Sequence, residues 1–459
     1  MRNRVETDAL GKVELPIEVY YGSETQRTIN KFKISGQRVD LDLIYSYAKL
    51  KKATAIANMK ANKLDKKICN AILYACNEIL SGKFNGQFII DPFQAGAGTS
   101  LNMNLNEVIA NIAIEKLGGK KGSYKIVHPN DHVNMSQSTN DTYPSAVNIA
   151  CATTLNKYLI PQLKKLHESF SYKSKEFLNI VKIGRTHLQD AVPMKLGEEF
   201  SAYAGAISKS LLSIENAYEA LLEVPIGGTA VGTGINTGSE YQKYIIEELR
   251  KETELKLRKA SSIFTNMSFR YEQLELSNAL LTTATMLSKI CNDLRLLSSG
   301  PRAGLSEIIL PPALPGSSIM PGKINPSIPE MLNMVCYRVI GSSRTVSEAV
   351  AGAQLELNVF TPLISFELLY CIKILSNAIK TFDDECVKGI KPNKERIDKY
   401  LEMDIELATA LNQYIGYSKA AQIAKIALKE NKSIKQVCLE MKVLDKETLD
   451  KILNPKNEV

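Results

Sequence analysis

The sequence predicts a mainly α fold built around an elongated bundle of long helices. Two apolar seams and the segments between the helices predict it. From Leu196 the apolar side runs Leu196, Phe200, Ala204, Ile207, Leu211, Ile214, Tyr218, Leu221, with spacings of 4, 4, 3, 4, 3, 4, 3. That is the period of one helix face, kept for about seven turns. A second seam runs Leu276, Leu280, Ala284, Leu287, Cys291, Leu294 and stops at Gly300-Pro301. Asp141–Glu168 and the stretch after Pro329 also read as long helices. Helices of about 25 residues span roughly 38 Å, so several in one chain imply a bundle. Faces this apolar suit burial against further subunits as well, so an oligomer is expected.

Five polar, Gly-rich segments separate the helices: Gln94–Asn106, His128–Asp141, Gly184–Pro193, Gly227–Gly238 and Gly316–Pro326. Such runs cost chain entropy and bury little, so between rigid helices they read as site loops. From about Lys391 the helical patterns shorten and turn polar, which reads as a small separate domain.

Composition narrows the class. With 459 residues, 44% hydrophobic and 23% charged, the chain is an ordinary globular protein. The eight cysteines (Cys69, Cys76, Cys151, Cys291, Cys336, Cys371, Cys386, Cys438) form no CxxC pair and mostly sit in apolar helical patterns, so buried reduced thiols are expected. Met1–Gly11 is charged and lacks an apolar h-region, and no run reaches about 18 apolar residues. Neither a signal peptide nor a membrane span is therefore expected, and the expected location is the cytoplasm. The net charge is +8, from scattered lysines. Short basic stretches such as Lys49, Lys51 and Lys52 lack interleaved aromatics and read as a solvated helix face, not a nucleic-acid surface. Gly227–Gly238 follows no strand pattern and lacks a GKS, so it is not a phosphate loop.

Gly316-Ser317-Ser318-Ile319-Met320-Pro321-Gly322-Lys323-Ile324-Asn325-Pro326 carries the densest chemistry. Its glycines allow it to move as a lid. Two hydroxyls, a fixed cation and an amide suit a carboxylate and the oxyanion charge that develops on it. This string resembles the GSSxMPxKxNP signature of the fumarase/aspartase superfamily. Three more segments are similar to that family in the same order: Ala95–Asn104, His128–Asn134 with Gln137–Asp141, and Gly184–Pro193. The similarity covers essentially the whole chain.

The resemblance implies a three-domain fumarase/aspartase-type fold. Residues 1–139 would form an N-terminal mostly helical domain, 140–391 the central long-helix bundle and 392–459 a small C-terminal helical domain. A homotetramer would join its central helices in a twenty-helix core, with composite active sites drawn from three subunits. The implied reaction is a reversible anti elimination on a small dicarboxylate, with no organic cofactor. An activating divalent cation such as magnesium is compatible with the family, but no acidic cluster has metal-ligand spacing, so no metal residues are assigned.

Ser317 would be the base that removes the Cβ proton, its alkoxide held by backbone N–H groups and Lys323. Thr99, Ser138, Thr139 and Ser318 would donate to the reacting β-carboxylate, which helps only if they bind the aci form better than the ground state. Lys323 and Asn325 would hold the α-carboxylate. Thr186, His187 and Asn140 would hold the α-carboxylate and the leaving amino group. Met320 would orient the loop, and Glu330 would pair with His187. Ser and Thr at these positions also suit plain helix capping, and Arg185 suits a structural ion pair. His132 lies in a region that the family ties to a second, non-catalytic anion site.

Two branches share these residues. Gly96-Ala97-Gly98-Thr99-Ser100, Asn325-Pro326-Ser327-Ile328-Pro329-Glu330 and Met194 resemble the ammonia-lyase branch. Lys391–Asp398, Ala410–Asn412 and Ile415–Ala421 resemble the hydratase branch. The first set lies in segments that carry the site, so elimination of ammonia from L-aspartate is expected ahead of dehydration of L-malate.

Overall fold

A computed structural model describes residues 2–454. By internal packing the chain divides into two units, each discontinuous in sequence. The first holds Met1–Pro161, Leu211–Ala284 and Tyr337–Ser376, and the second Gln162–Ser210, Thr285–Cys336 and Asn377–Val459.

The seams become helices Leu196–Leu221 and Tyr271–Leu297. Leu196, Phe200, Ala204, Ile207, Ile214 and Leu221 are buried, as is every member of the second seam. The stretch expected over 141–168 runs as Thr139–Thr154, a π-turn at Leu155–Leu159, and Ile160–Glu176. The one after Pro329 begins slightly earlier, as Ser327–Ala351. Thr361–Glu385 completes the set of long helices. Contrary to expectation, the segment Thr361–Gly389 meets the length and mean hydropathy (1.4) of a membrane span. Yet 67% of its apolar window is buried within the protein, as in the core helix of a globular bundle.

In the first unit, helix Leu41–Lys60 packs against Lys66–Leu80, Thr139–Thr154 and Ser239–Thr253. Surrounded this way, it buries even polar positions, among them Lys51, Thr54 and Asn58. The reading of Lys49, Lys51 and Lys52 as one solvated face is thus corrected: Lys51 is fully buried, and the half-buried Lys52 pairs with Glu252 at 2.7 Å.

The segment expected as a loop over 94–106 is also corrected. From Thr99 on it is the helix Thr99–Lys116. Asn102, Asn104 and Asn106 are buried on that helix. Their polarity marks buried hydrogen bonding, not exposure.

In the second unit, the segment 184–193 is not a loop but part of an antiparallel hairpin, Val181–Thr186 with Gln189–Lys195. The C-terminal helices Lys394–Glu402, Tyr417–Glu430, Ile434–Glu440 and Lys446–Ile452 follow. Leu407, Leu411, Ile423, Ile434, Val437, Cys438 and Leu449 form a core cluster there. All eight cysteines are free and buried, as expected.

Candidate active site

In the first unit, Thr99 opens helix Thr99–Lys116 behind Gly98, whose φ is +87°. A Cβ at Gly98 would overlap the Tyr143 ring, so this turn requires glycine. Thr99 is exposed and donates weakly to the Gly96 carbonyl at 3.4 Å. Ser138 caps helix Thr139–Thr154: its Oγ accepts from Asn140 N at 3.2 Å, and Asp141 Oδ1 accepts from Ser138 N at 3.0 Å. The capping role is therefore present. It uses Ser138 only as an acceptor, so its hydroxyl proton stays available. Thr139 Oγ1 accepts from Asn102 Nδ2 at 2.9 Å, and Asn140 Nδ2 donates to the Ala230 carbonyl at 2.8 Å.

Ser138 and Thr139 line a cavity of about 550 Å³, together with Asn102, Asn134, Thr229 and Asn236. Its far wall is the Gly227–Gly238 segment, one of the five segments expected as site loops, to which no residue role was given. The buried Asp141 ties that wall to the helix start: its Oδ2 accepts from Gly227 N at 2.9 Å and Thr229 N at 3.0 Å. Burial pushes its carboxyl up to about 6, against the pull of these three backbone donors. Lys51 is the other buried charge here. Burial pulls its ammonium down to about 7, with the Asp141 charge acting the other way. His132 Nδ1 accepts from His128 N at 2.8 Å, and burial lowers its pKa. That is a neutral ring in a structural turn.

In the second unit, His187 and Leu188 form the two-residue turn between paired Thr186 and Gln189, with φ of +55° and +60°. Such a turn ordinarily takes Asn-Gly. Two non-glycine left-handed residues cost about 1 kcal/mol or more each, a strain typical of functional positions. Both are exposed. The hairpin's base is firm: Lys182 and Arg185 reach the fully buried Glu307 at 2.9 and 2.8 Å. Arg185 thus takes the structural ion pair that the sequence suits it for. Lys182 and Glu307 were missed; their only signal is a lone charge beside an apolar run. The Glu330–His187 pair does not form within one chain. Glu330 lies in a helical first turn against Arg295 at 3.9 Å, and among the described residues His187 has no carboxylate partner.

The Gly316–Pro326 loop closes on itself. Gly316 N donates to the Lys323 carbonyl at 2.8 Å, and Asn325 Nδ2 to the Gly316 carbonyl at 2.7 Å. Inside this ring, Ser317 Oγ accepts from Met320 N at 3.0 Å and Ile319 N at 3.3 Å. Two N–H dipoles aimed at one hydroxyl oxygen favour negative charge on it. Ser318, Met320 and Lys323 are exposed, and among the described residues the Lys323 ammonium has no carboxylate partner. No group of three or more His, Cys, Asp or Glu among the described residues could hold a metal ion.

A family model described as lyase matches residues 11–341, and one described as fumarase C C-terminus matches residues 407–457. The chain belongs to the fumarase/aspartase superfamily. Within that superfamily it is 46% identical to an aspartate ammonia-lyase of Bacillus sp, over 98% of this chain and 96% of that one. It is 44% identical to a class II fumarate hydratase of Neisseria meningitidis, over 100% of this chain and 99% of that one. The crystal structure of a fumarate lyase:delta crystallin from Brucella melitensis superposes with a TM-score of 0.96 at 44% identity, covering 99% of each chain. Superfamily membership fixes a lyase and the helical fold, while ammonia-lyases and hydratases stand at nearly equal identity.

Proposed function

We propose that this protein is an aspartate ammonia-lyase, catalysing reversible anti elimination of ammonia from L-aspartate to give fumarate. The observation that carries the mechanism is the pair of backbone N–H groups on Ser317 Oγ. A serine hydroxyl is far too weak an acid to ionise at neutral pH unaided. These donors, with Lys323 three residues beyond Met320, supply the missing stabilisation. Ser317 then takes the Cβ proton, and the electron pair enters the β-carboxylate as the aci form. Thr99, Ser138, Thr139 and Ser318 donate to that carboxylate. Lys323 and Asn325 hold the α-carboxylate, while Thr186, His187 and Asn140 hold it and the amino group. As that group departs, the electron pair returns to form the double bond.

Residues assigned to one substrate occur in both units of the chain. The exposed Thr186, His187, Ser318 and Lys323 and the absent Glu330–His187 pair fit a site completed by other copies. We therefore read the protein as a homotetramer with active sites built from three subunits, working in the cytoplasm without an organic cofactor.

Ammonia is preferred as leaving group because of Gly96–Ser100, Asn325–Glu330 and Met194. The second reading, class II fumarase acting on L-malate, draws on Lys391–Asp398 and Ile415–Ala421 in the terminal helices. Those residues bear less directly on the leaving group. Ultraviolet detection of fumarate from L-aspartate and from L-malate, in separate cuvettes, tests the choice. Fumarate from aspartate alone is expected; fumarate from malate alone would make the terminal helices the better guide.

A further inference from the structure

A buried lysine decides which way the Thr139 hydroxyl points. Lys51 is 0% exposed and makes no hydrogen bond to a carboxylate. Its ammonium donates to Asn134 Oδ1 at 2.9 Å and Gln137 Oε1 at 2.8 Å. An ammonium has three donors and no acceptor, so both amides must turn their oxygens toward it. The consequence travels along the network. The Gln137 NH₂ is turned to the Val133 and Met135 carbonyls, at 3.0 and 3.1 Å. Asn134 Oδ1, fixed as an acceptor, also takes Asn102 Nδ2 at 3.2 Å and Asn106 Nδ2 at 3.2 Å. Asn102 must therefore show its NH₂ on this side, and its second N–H goes to Thr139 Oγ1 at 2.9 Å. Thr139 is thus an acceptor within the protein. Its one proton has no acceptor among the described residues, and its side chain lines the cavity.

We infer that Lys51 is a positioning residue, which through Asn134 and Asn102 makes the Thr139 hydroxyl offer a proton, not a lone pair, to a substrate carboxylate. This rests on the proposed reading of Thr139 as a substrate ligand. While it is charged, Lys51 is the one member of the chain that cannot reverse. Amides flip, and hydroxyls rotate. Tyr47 supports the same orientation by donating to Asn102 Oδ1 at 2.8 Å, but its hydroxyl also lies 2.6 Å from Thr142 Oγ1 and can turn there instead. Without the ammonium, Asn134 and Asn102 can flip together. Thr139 would then donate to Asn102 Oδ1 and face the carboxylate with a lone pair. Stability alone does not explain Lys51: an apolar side chain of similar length would fill the space without desolvating a charge.

The test is a double-mutant cycle on kcat and KM with Lys51→Met, Thr139→Val and the pair, using whichever dicarboxylate the wild type turns over. Each single change should lower kcat/KM by roughly 10- to 100-fold, the worth of one hydrogen bond to a charged group. The loss should fall mainly in kcat, because charge grows on that carboxylate in the transition state. In the Thr139→Val background, Lys51→Met should cost almost nothing more, which a merely structural role would not produce. If the two losses multiply instead, Lys51 does not act through Thr139 and the relay is wrong. If Thr139→Val alone is harmless, the reading of Thr139 as a substrate ligand fails, and the relay with it. Should Lys51→Met not fold, as thermal melting would show, Asn134→Leu breaks the same relay one link on and enters the same cycle.

Discussion

Ser138 and Thr139 stand at the start of a helix whose first turn is built around the buried Asp141. Ser317, Ser318 and Lys323 stand on a loop that closes on its own backbone, with Ser318 and Lys323 exposed. In the first place each side chain is over-determined: Asp141 accepts three backbone N–H groups, and Asn102, Asn134 and Lys51 fix Thr139 from below. In the second the bonds of Gly316, Ser317, Met320 and Lys323 lie within the loop, so this part can move as a piece while Ser317 keeps its two donors. The contrast matches two demands of one reaction. Donors to a developing charge must be fixed before the charge appears. A group that closes over substrate must come and go.

The sharpest way to use that contrast is Ser317→Ala. Removing the base should lower turnover by roughly 10²- to 10⁴-fold. Because Ser317 bonds only within its own loop, melting should stay within about 0.5 kcal/mol of wild type. A variant that keeps most of its turnover would remove Ser317 as the base. Lys323→Ala comes next. Its exposed ammonium, with no carboxylate partner among the described residues, is assigned to the α-carboxylate, so apparent affinity should weaken by about 10- to 100-fold, again with unchanged melting. An unchanged KM would refute that assignment.

Asp141→Asn probes the other side of the comparison. An amide has one acceptor where the carboxylate uses two, so its NH₂ must face the Ser138 N–H or the Gly227 and Thr229 N–H groups. Stability should fall by about 2 kcal/mol, with a smaller, indirect loss of turnover as the cavity wall loosens. Differential scanning calorimetry beside steady-state rates reads both. Wild-type melting in this variant would mean that Asp141 does not tie the wall to the helix.

The same contrast explains what was legible in the sequence. The long helices were, because their seams repeat at helical spacing over many turns. The Gly316–Pro326 segment was as well, since a loop that makes its own closure carries its pattern in a few consecutive residues. The buried polar structure was not. Asn102, Asn104 and Asn106 read as loop because polar residues usually mark exposure, yet here they are buried on a helix and their side-chain N–H groups donate to Asn134, Thr139 and the Gln87 carbonyl. Lys51 read as one of three surface lysines, since neighbours on a helix differ in burial only once packing partners are known. Lys182 and Glu307 are 125 positions apart, and nothing local pairs them. The hairpin at Val181–Lys195 escaped because its turn carries His187-Leu188 where a stable hairpin would carry Asn-Gly.

Glu107 offers a test with no expected effect on turnover, since it sits away from every assigned residue in the hydrogen-bond pattern. It caps helix Ser23–Lys31, whose N-cap Gly22 has no side chain to do so. Its carboxyl accepts from Gly22 N at 2.8 Å, Glu24 N at 2.9 Å, Thr25 N at 3.2 Å and Thr25 Oγ1 at 2.6 Å. Burial nevertheless pushes it up to about 7, from an ordinary 4.5, with the four donors opposing. The folded state therefore binds this proton more tightly than the unfolded chain. The resulting stability is complete below pH 4.5 and is lost as pH rises through 7. Asp141, raised to about 6, acts in the same sense; the depressed His132 opposes them below pH 6.5, and the depressed Lys51 only above about pH 7. Melting temperature followed from pH 4.5 to 7 should fall in the wild type and fall less steeply in Glu107→Gln, which cannot titrate. Parallel curves would show that the four donors keep this carboxyl ionised throughout, so that capping outweighs burial at this helix start.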